Sequence, residues 1–174
     1  MNWYVLFIRT GCERKAEKYL NKRLDNNIFS PFILMEQMLF KTSGQIKKEL
    51  KPIFPGYVFI ETEATRQEII KEMQDIFYTS HDIFCFVKYG DTGDIAMKED
   101  ERNTLQKLCN DDHCIEASSG IIAGNRVYVK EGPLKGFESI IQKIDRHKRR
   151  AFIELDFMGD VRKVAVALEI VEKI

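Results

Sequence analysis

WYVLFIRTGCE, residues 3–13, sets the fold of the first half of the chain. Trp3 to Arg9 is a short aromatic and β-branched run, the composition of a buried strand. Thr10 and Glu13 follow at capping-box spacing, the hydroxyl placed to accept a first-turn amide and the carboxylate to reach back to the cap, so a helix is predicted to begin here. Ala16, Tyr19, Leu20 and Leu24 continue at helical spacing, with lysines turned elsewhere. Beyond this unit, Ile33 to Lys41 is apolar on both faces, and Thr42 to Pro52, with Gly44 and a Lys-Lys-Glu stretch, has the composition of a mobile hairpin tip. Ile53 to Ile60 is predicted as the next strand. A second box, Thr65 and Glu68, opens a helix whose inward face would be Ile69, Ile70, Met73 and Phe77. Phe84 to Lys88 is a further strand, and Asp100 to Asn110 a closing helix with Leu105 and Leu108 buried. Strand, helix, strand, strand, helix, strand is the order of a split βαβ unit, so residues 1–110 are expected to form an α+β, ferredoxin-like βαββαβ sandwich.

Residues 111–120, acidic and then small and polar, have linker composition. From Asn125 the pattern is all strand: Val127 and Val129, then Ser139 to Ile144, then Ala151, Ile153, Leu155 and Phe157 alternating with mostly polar neighbours, then Val164, Val166 and Leu168. Gly132, Gly136 and Gly159 separate the runs. Residues 121–174 are therefore expected to close as a small β-barrel, near the size at which a single core is marginal.

Composition narrows the function. At 174 residues and 44 % apolar, the chain is globular, and no run reaches the roughly 18 to 20 apolar residues of a membrane span. The start lacks a signal-peptide pattern, so the protein is expected in the cytoplasm. Twenty-seven basic residues balance 27 acidic ones, but residues 120–174 carry 11 basic against 8 acidic, making this the basic end. A disulfide framework from Cys12, Cys85, Cys109 and Cys114 is not expected in a reducing compartment, and Cys109, His113 and Cys114 give poor geometry for a metal with no fourth ligand, so no metal or cofactor is expected. His81, His113 and His147 fall in separate segments, Asp111 and Asp112 read as linker charge, and no nucleophile motif or phosphate loop is present. The chain is not read as an enzyme.

What remains is surface. DRHKRR, residues 145–150, places Arg146, His147, Lys148, Arg149 and Arg150 at a predicted hairpin tip, from which long cationic side chains reach a phosphate backbone. Lys130, Lys135, Arg162 and Lys163 add to the stock. Charge alone divides evenly between a solvated hairpin and an RNA site; the paired arginines favour RNA, because a guanidinium pairs phosphates and stacks on open bases. FPGYVFI, residues 54–60, resembles the base-stacking strand of an RRM only superficially: Val58 replaces a small residue, Pro55 removes an amide and no basic residue precedes Gly56. Trp3, Tyr4, Phe54, Tyr57 and Phe59 cannot all point one way in a pleated sheet, so some must form an exposed aromatic face, which suits a protein partner.

Trp3-Tyr4-Val5 with Arg9-Thr10-Gly11 and a lysine-rich helix, then residues 54–59, then Val129, Gly132-Pro133, Gly136-Phe137-Glu138, and finally Val171-Glu172-Lys173 together resemble the NusG family over nearly the whole chain. The resemblance implies an NGN domain at 1–110, a linker at 111–120 and a five-stranded, SH3-like KOW barrel at 121–174. Asn2-Trp3-Tyr4-Val5-Leu6-Phe7, the Lys135 to Glu138 segment and the Arg146 to Arg150 tip are most similar to the LoaP-type antiterminators of that family. By resemblance, Phe54 and Tyr57 would form the depression that grips the clamp helices of RNA polymerase, Thr79 would lie near non-template DNA, and the KOW barrel would hold a hairpin of nascent RNA, giving readthrough of a specific operon. Two alternatives stay open: a general elongation and termination factor whose KOW partners are proteins such as the ribosome or Rho, and a ribosome-associated assembly protein. A monomer is expected. Period-two alternation through the C-terminal segments argues for a single β state there.

Overall fold

The computed structural model describes all 174 residues. Along the chain run β1 (Asn2–Ile8), α1 (Glu13–Arg23), β2 (Phe29–Phe32), β3 (Met35–Thr42), β4 (Gln45–Pro52), β5 (Tyr57–Thr62), α2 (Arg66–Thr79), β6 (Ile83–Phe86) and α3 (Glu99–Leu108). There follow β7 (Cys114–Ile115), β8 (Ser118–Ala123), β9 (Arg126–Glu131), a 3₁₀ turn (Glu138–Ile140), β10 (Ile141–Asp145), β11 (Arg150–Phe157) and β12 (Asp160–Lys173). The molecule is α+β, and its contacts cluster into two units, one of Met1–Leu34 with Phe54–Arg102 and one of Met35–Ile53 with Asn103–Ile174.

The first unit is built on an antiparallel sheet in the order β2-β5-β1-β6. β1-α1-β2 and β5-α2-β6 each cross over a neighbouring strand, and the right-handed rule for such crossovers puts both helices on the same face. Trp3, Tyr4, Val5, Leu6 and Ile8 of β1 are buried, as are Val58, Phe59 and Ile60 of β5, Ala16 and Leu20 of α1, and Ile69, Met73 and Ile76 of α2. The inward face of α2 thus uses Ile76, while Ile70 and Phe77 are half-buried. The Thr65 box forms in full, with the Glu68 amide donating to the Thr65 hydroxyl and the Thr65 amide to the Glu68 carboxylate. The Thr10 box does not. Cys12 rather than Thr10 is the N-cap of α1 and makes no side-chain bond, and the Glu13 carboxylate accepts the Gly11 and Gly56 amides instead.

The second unit holds a three-stranded sheet, β4-β3-β7, and a five-stranded sheet, β10-β11-β12-β8-β9, in which β12 pairs β8 in parallel and the other neighbours antiparallel. Four expectations change here. The strand expected at Ile33 to Lys41 does not enter the first unit's sheet: Met35–Thr42 pairs with β4 and β7, and the earlier segment Phe29–Phe32 pairs with β5 in its place. The presumed mobile tip at 42–52 is a regular strand, paired with β3 at all eight positions, and only Ser43 and Gly44, both at positive φ, make the turn; two such residues match the twist of a hairpin. Residues 111–120 carry β7 and the start of β8. Ser139 and Ile140, expected as strand, lie in the 3₁₀ turn that precedes β10. No helix is long and apolar enough to cross a membrane.

Candidate partner-binding surfaces

The aromatic face begins with a carboxylate. Glu13, buried at the first turn of α1, accepts the amides of Gly11 at 3.1 Å and Gly56 at 2.8 Å. The Gly56 carbonyl also accepts the Ile8 amide at 2.9 Å, and Gly56 sits at φ +89°, where a Cβ would meet the Thr10 hydroxyl at 3.0 Å. Only glycine takes that conformation cheaply. The turn so clamped delivers Tyr57 into β5 directly opposite Phe7 of β1.

Residues opposite one another across antiparallel strands project to the same side, so Phe7 and Tyr57 share a face, and their ring centroids lie 5.7 Å apart. On the other flank of β1 the register with β6 breaks: Phe7 pairs Cys85 and Ile8 pairs Ile83, leaving Phe84 as the extra residue. A bulge of this kind re-aims a side chain. Here it brings the Phe84 ring to 5.5 Å from that of Phe7. Phe7 is 41 % exposed and Phe84 43 %, Tyr57 is half-buried and Cys85 is exposed. Three rings therefore cross three strands as an open apolar row. Phe54 is not part of it. At 5 % exposure it packs in the core, 6.4 Å from Phe59. Trp3, Tyr4 and Phe59 are core too.

Thr79 is the last residue of α2 rather than part of the following loop, and its hydroxyl donates to the Asp75 carbonyl at 2.7 Å. It lines a cavity of about 290 Å³ with Lys15, Tyr19, His81 and Asp82. Asp82 draws in Lys15 at 2.8 Å and Arg9 at 3.1 Å. The Lys15 hydrogen bond leads the causes that hold its carboxyl below the usual carboxylate range.

The cationic tip joins β10 to β11. Asp145 accepts the Lys148 amide at 3.0 Å, which holds its carboxyl below the usual range, and Arg149 closes the turn at φ +54°. Arg146, His147 and Lys148 are exposed. Arg149 and Arg150 are not free cations. Arg149 Nε lies 3.9 Å from Glu169, and Arg150 Nη1 donates to Glu36 of β3 at 3.1 Å and to the Ala165 carbonyl at 3.3 Å. Of the other cations read from the sequence, Lys163 is exposed on β12 opposite Glu154, Lys135 is exposed in the Gly132–Gly136 loop, and Lys130 is exposed on β9, at the far end of the strand order from the tip. Arg162 lies over the Phe157 ring at 5.4 Å. No group of His, Cys, Asp and Glu side chains is placed to hold a metal ion.

Sequence reasoning missed Phe7, Phe84, Glu13 and Glu36. Phe7 has the same strand parity as the buried Trp3 and Val5, so alternation does not single it out, and nothing local announces a bulge at Phe84. Glu13 carried a signal, its spacing from Thr10, which pointed to the wrong partner.

A family model described as Transcription termination factor nusG matches residues 1–106. Over 180 aligned residues the chain is 25 % identical to the Transcription termination/antitermination protein NusG of Staphylococcus carnosus (strain TM300), with 99 % of this chain and 95 % of that protein covered. The proteins of the same name from Staphylococcus aureus (strain Mu50 / ATCC 700699) and Staphylococcus epidermidis (strain ATCC 35984 / DSM 28319 / BCRC 17069 / CCUG 31568 / BM 3577 / RP62A) align with the same identity and coverage.

Proposed function

The chain belongs to the NusG family of transcription factors, and from that premise we propose that it binds RNA polymerase through the row of Tyr57, Phe7 and Phe84 and a nascent RNA hairpin through the Arg146–Lys148 tip, promoting readthrough of a specific operon. Residues 1–110 act as the NGN domain, residues 111–120 as the connection, and residues 121–174 as the KOW domain, whose five-stranded sheet we read as an SH3-like barrel. The observation that carries the polymerase contact is the ring row itself. Two exposed rings, Phe7 and Phe84, beside the half-buried Tyr57 are a poor solution for a free monomer and a good one for a partner that covers them. The clamp helices of RNA polymerase are the partner this reading assigns to the row. Thr79, at the end of α2, faces non-template DNA in this reading.

The RNA contact rests on fewer groups than the sequence offers. Arg146, His147 and Lys148 are open, whereas Arg149 and Arg150 already face carboxylates. That engagement favours one second reading, a general elongation and termination factor whose KOW domain meets proteins. Salt separates the two, because log affinity for RNA falls linearly with log salt in proportion to the phosphates neutralised, whereas an apolar protein contact is nearly indifferent.

Substitution tests the whole assignment in the full chain. Phe84→Ser or Tyr57→Ala should weaken polymerase binding by about 30-fold, as loss of an interface anchor worth about 2 kcal/mol does, while leaving the RNA gel shift unchanged. Arg146→Ala with Lys148→Ala should do the reverse. Polymerase affinity that survives Phe84→Ser and Tyr57→Ala, or RNA affinity that survives loss of both tip cations, contradicts the respective half.

A further inference from the structure

The Glu36–Arg150 pair is an imperfect one. Arg150 reaches Glu36 Oε1 at 3.1 Å, with the two side chains only 16 % and 7 % exposed, yet Glu36 Oε2 is buried with no hydrogen-bond partner. Burial outweighs the attraction of Arg150 and of Lys51, the residue paired with Glu36 across the hairpin, and pushes the Glu36 carboxyl up from its ordinary value. A buried pair left half-satisfied contributes little, because the loss of solvation offsets the Coulomb attraction. Arg150, at the start of β11, stands next to the tip: its strand partner is Asp145, and Arg146 to Lys148 lie in the turn between them. A guanidinium binds a phosphate and a carboxylate through the same forked donors.

We propose that Arg150 is an RNA-binding residue held in reserve, with the Glu36 carboxylate standing where an RNA phosphate would otherwise bind. This rests on the RNA reading of the tip and extends it. RNA captured first by Arg146 and Lys148 presents a neighbouring phosphate to Arg150, which exchanges Glu36 for it. Glu36 loses its single partner and returns to water. The base of the β3–β4 hairpin, which also holds the Ala117 amide through Gln37 at 3.0 Å and pairs with β7, thereby loses its ionic tie to the five-stranded sheet. Glu36 thus sets a threshold: ligands that only brush the tip do not recruit Arg150, and those that place a second phosphate do.

A double-mutant cycle read by gel shift on the full chain, with a tetraloop-capped RNA stem-loop as probe, tests the exchange. Glu36→Gln, nearly isosteric and uncharged, should tighten RNA binding about fivefold, and Glu36→Met should do the same, so a folding defect in either variant does not decide the result. In an Arg150→Met background both gains should vanish, and the salt slope should fall by about 0.9, the loss of one phosphate contact. Unchanged affinity in both Glu36 variants, or a gain that persists without Arg150, overturns the exchange. Failure of the RNA reading looks different, since Arg146→Ala with Lys148→Ala would then leave binding of the same probe untouched.

Discussion

The Glu13 carboxylate accepts a local amide, from Gly11, and the amide of Gly56, 43 residues further along the chain than Glu13, and in doing so fixes where Tyr57 enters its strand. Hydrogen bonds from amides to a buried carboxylate contribute about 1.5 to 3 kcal/mol, and orphaning the donors loses most of that. Glu13→Ala should therefore lower stability by about 2 to 3 kcal/mol in urea titration, and Glu13→Gln by less. The four cysteines differ as sharply. Burial raises the Cys109 thiol to about 12 and also pushes Cys114 up, whereas Cys85 is exposed beside Phe7. Alkylation followed by mass spectrometry should mark Cys85 well before Cys109 or Cys114 at pH 8, since only the thiolate reacts. Glu36 supplies the pH dependence. Its folded-state value lies above the ordinary 4.5, so the folded protein binds more protons than the unfolded chain between those values. Stability is then highest below the unfolded value and falls as pH climbs through the folded one. Glu36→Gln should flatten that part of the profile, the difference between the two urea curves isolating this group from other carboxylates.

At the scale of elements, legibility followed range. The Thr65 box could be read because every group in it lies within four residues, and Thr65→Ala should cost about 1 kcal/mol of stability by the loss of that cap. The Thr10 spacing looked the same and formed no cap: Cys12 is the N-cap, and Gly56, distant in sequence, donates to Glu13 instead. Alternation exposed the β11 core of Ala151, Ile153, Leu155 and Phe157, all buried. It could not expose Phe84, whose direction depends on a register break against another strand. β4 misled for a different reason: lysines and a glutamate suit a strand exposed along nearly all its length, where composition resembles that of a loop. Its turn is testable. Ser43 sits at φ +52°, so Ser43→Gly should stabilise the hairpin by up to about 1 kcal/mol, measured by thermal denaturation, through relief of left-handed strain.

For the whole molecule, the two surfaces belong to different units, the ring row to the first and the cationic tip to the second. Under the proposed function, RNA held by one surface would present the other to polymerase at high effective concentration, so that operon choice would need no specific polymerase contact. The sequence shows a change from mixed to all-strand periodicity, but not the grouping of residues 35–53 with the C-terminal residues, because that depends on β3 pairing with β7. The central claim is that polymerase covers the sheet face around Phe7. Cys85 lies on that face, so the direct measurement is its alkylation rate in the free protein and in a complex with a transcribing polymerase. The account predicts at least about a tenfold slowing in the complex, the protection expected from about 1.4 kcal/mol of occlusion, and its loss when Phe84→Ser prevents docking. Cys85 alkylated at the free rate while polymerase remains bound would contradict it.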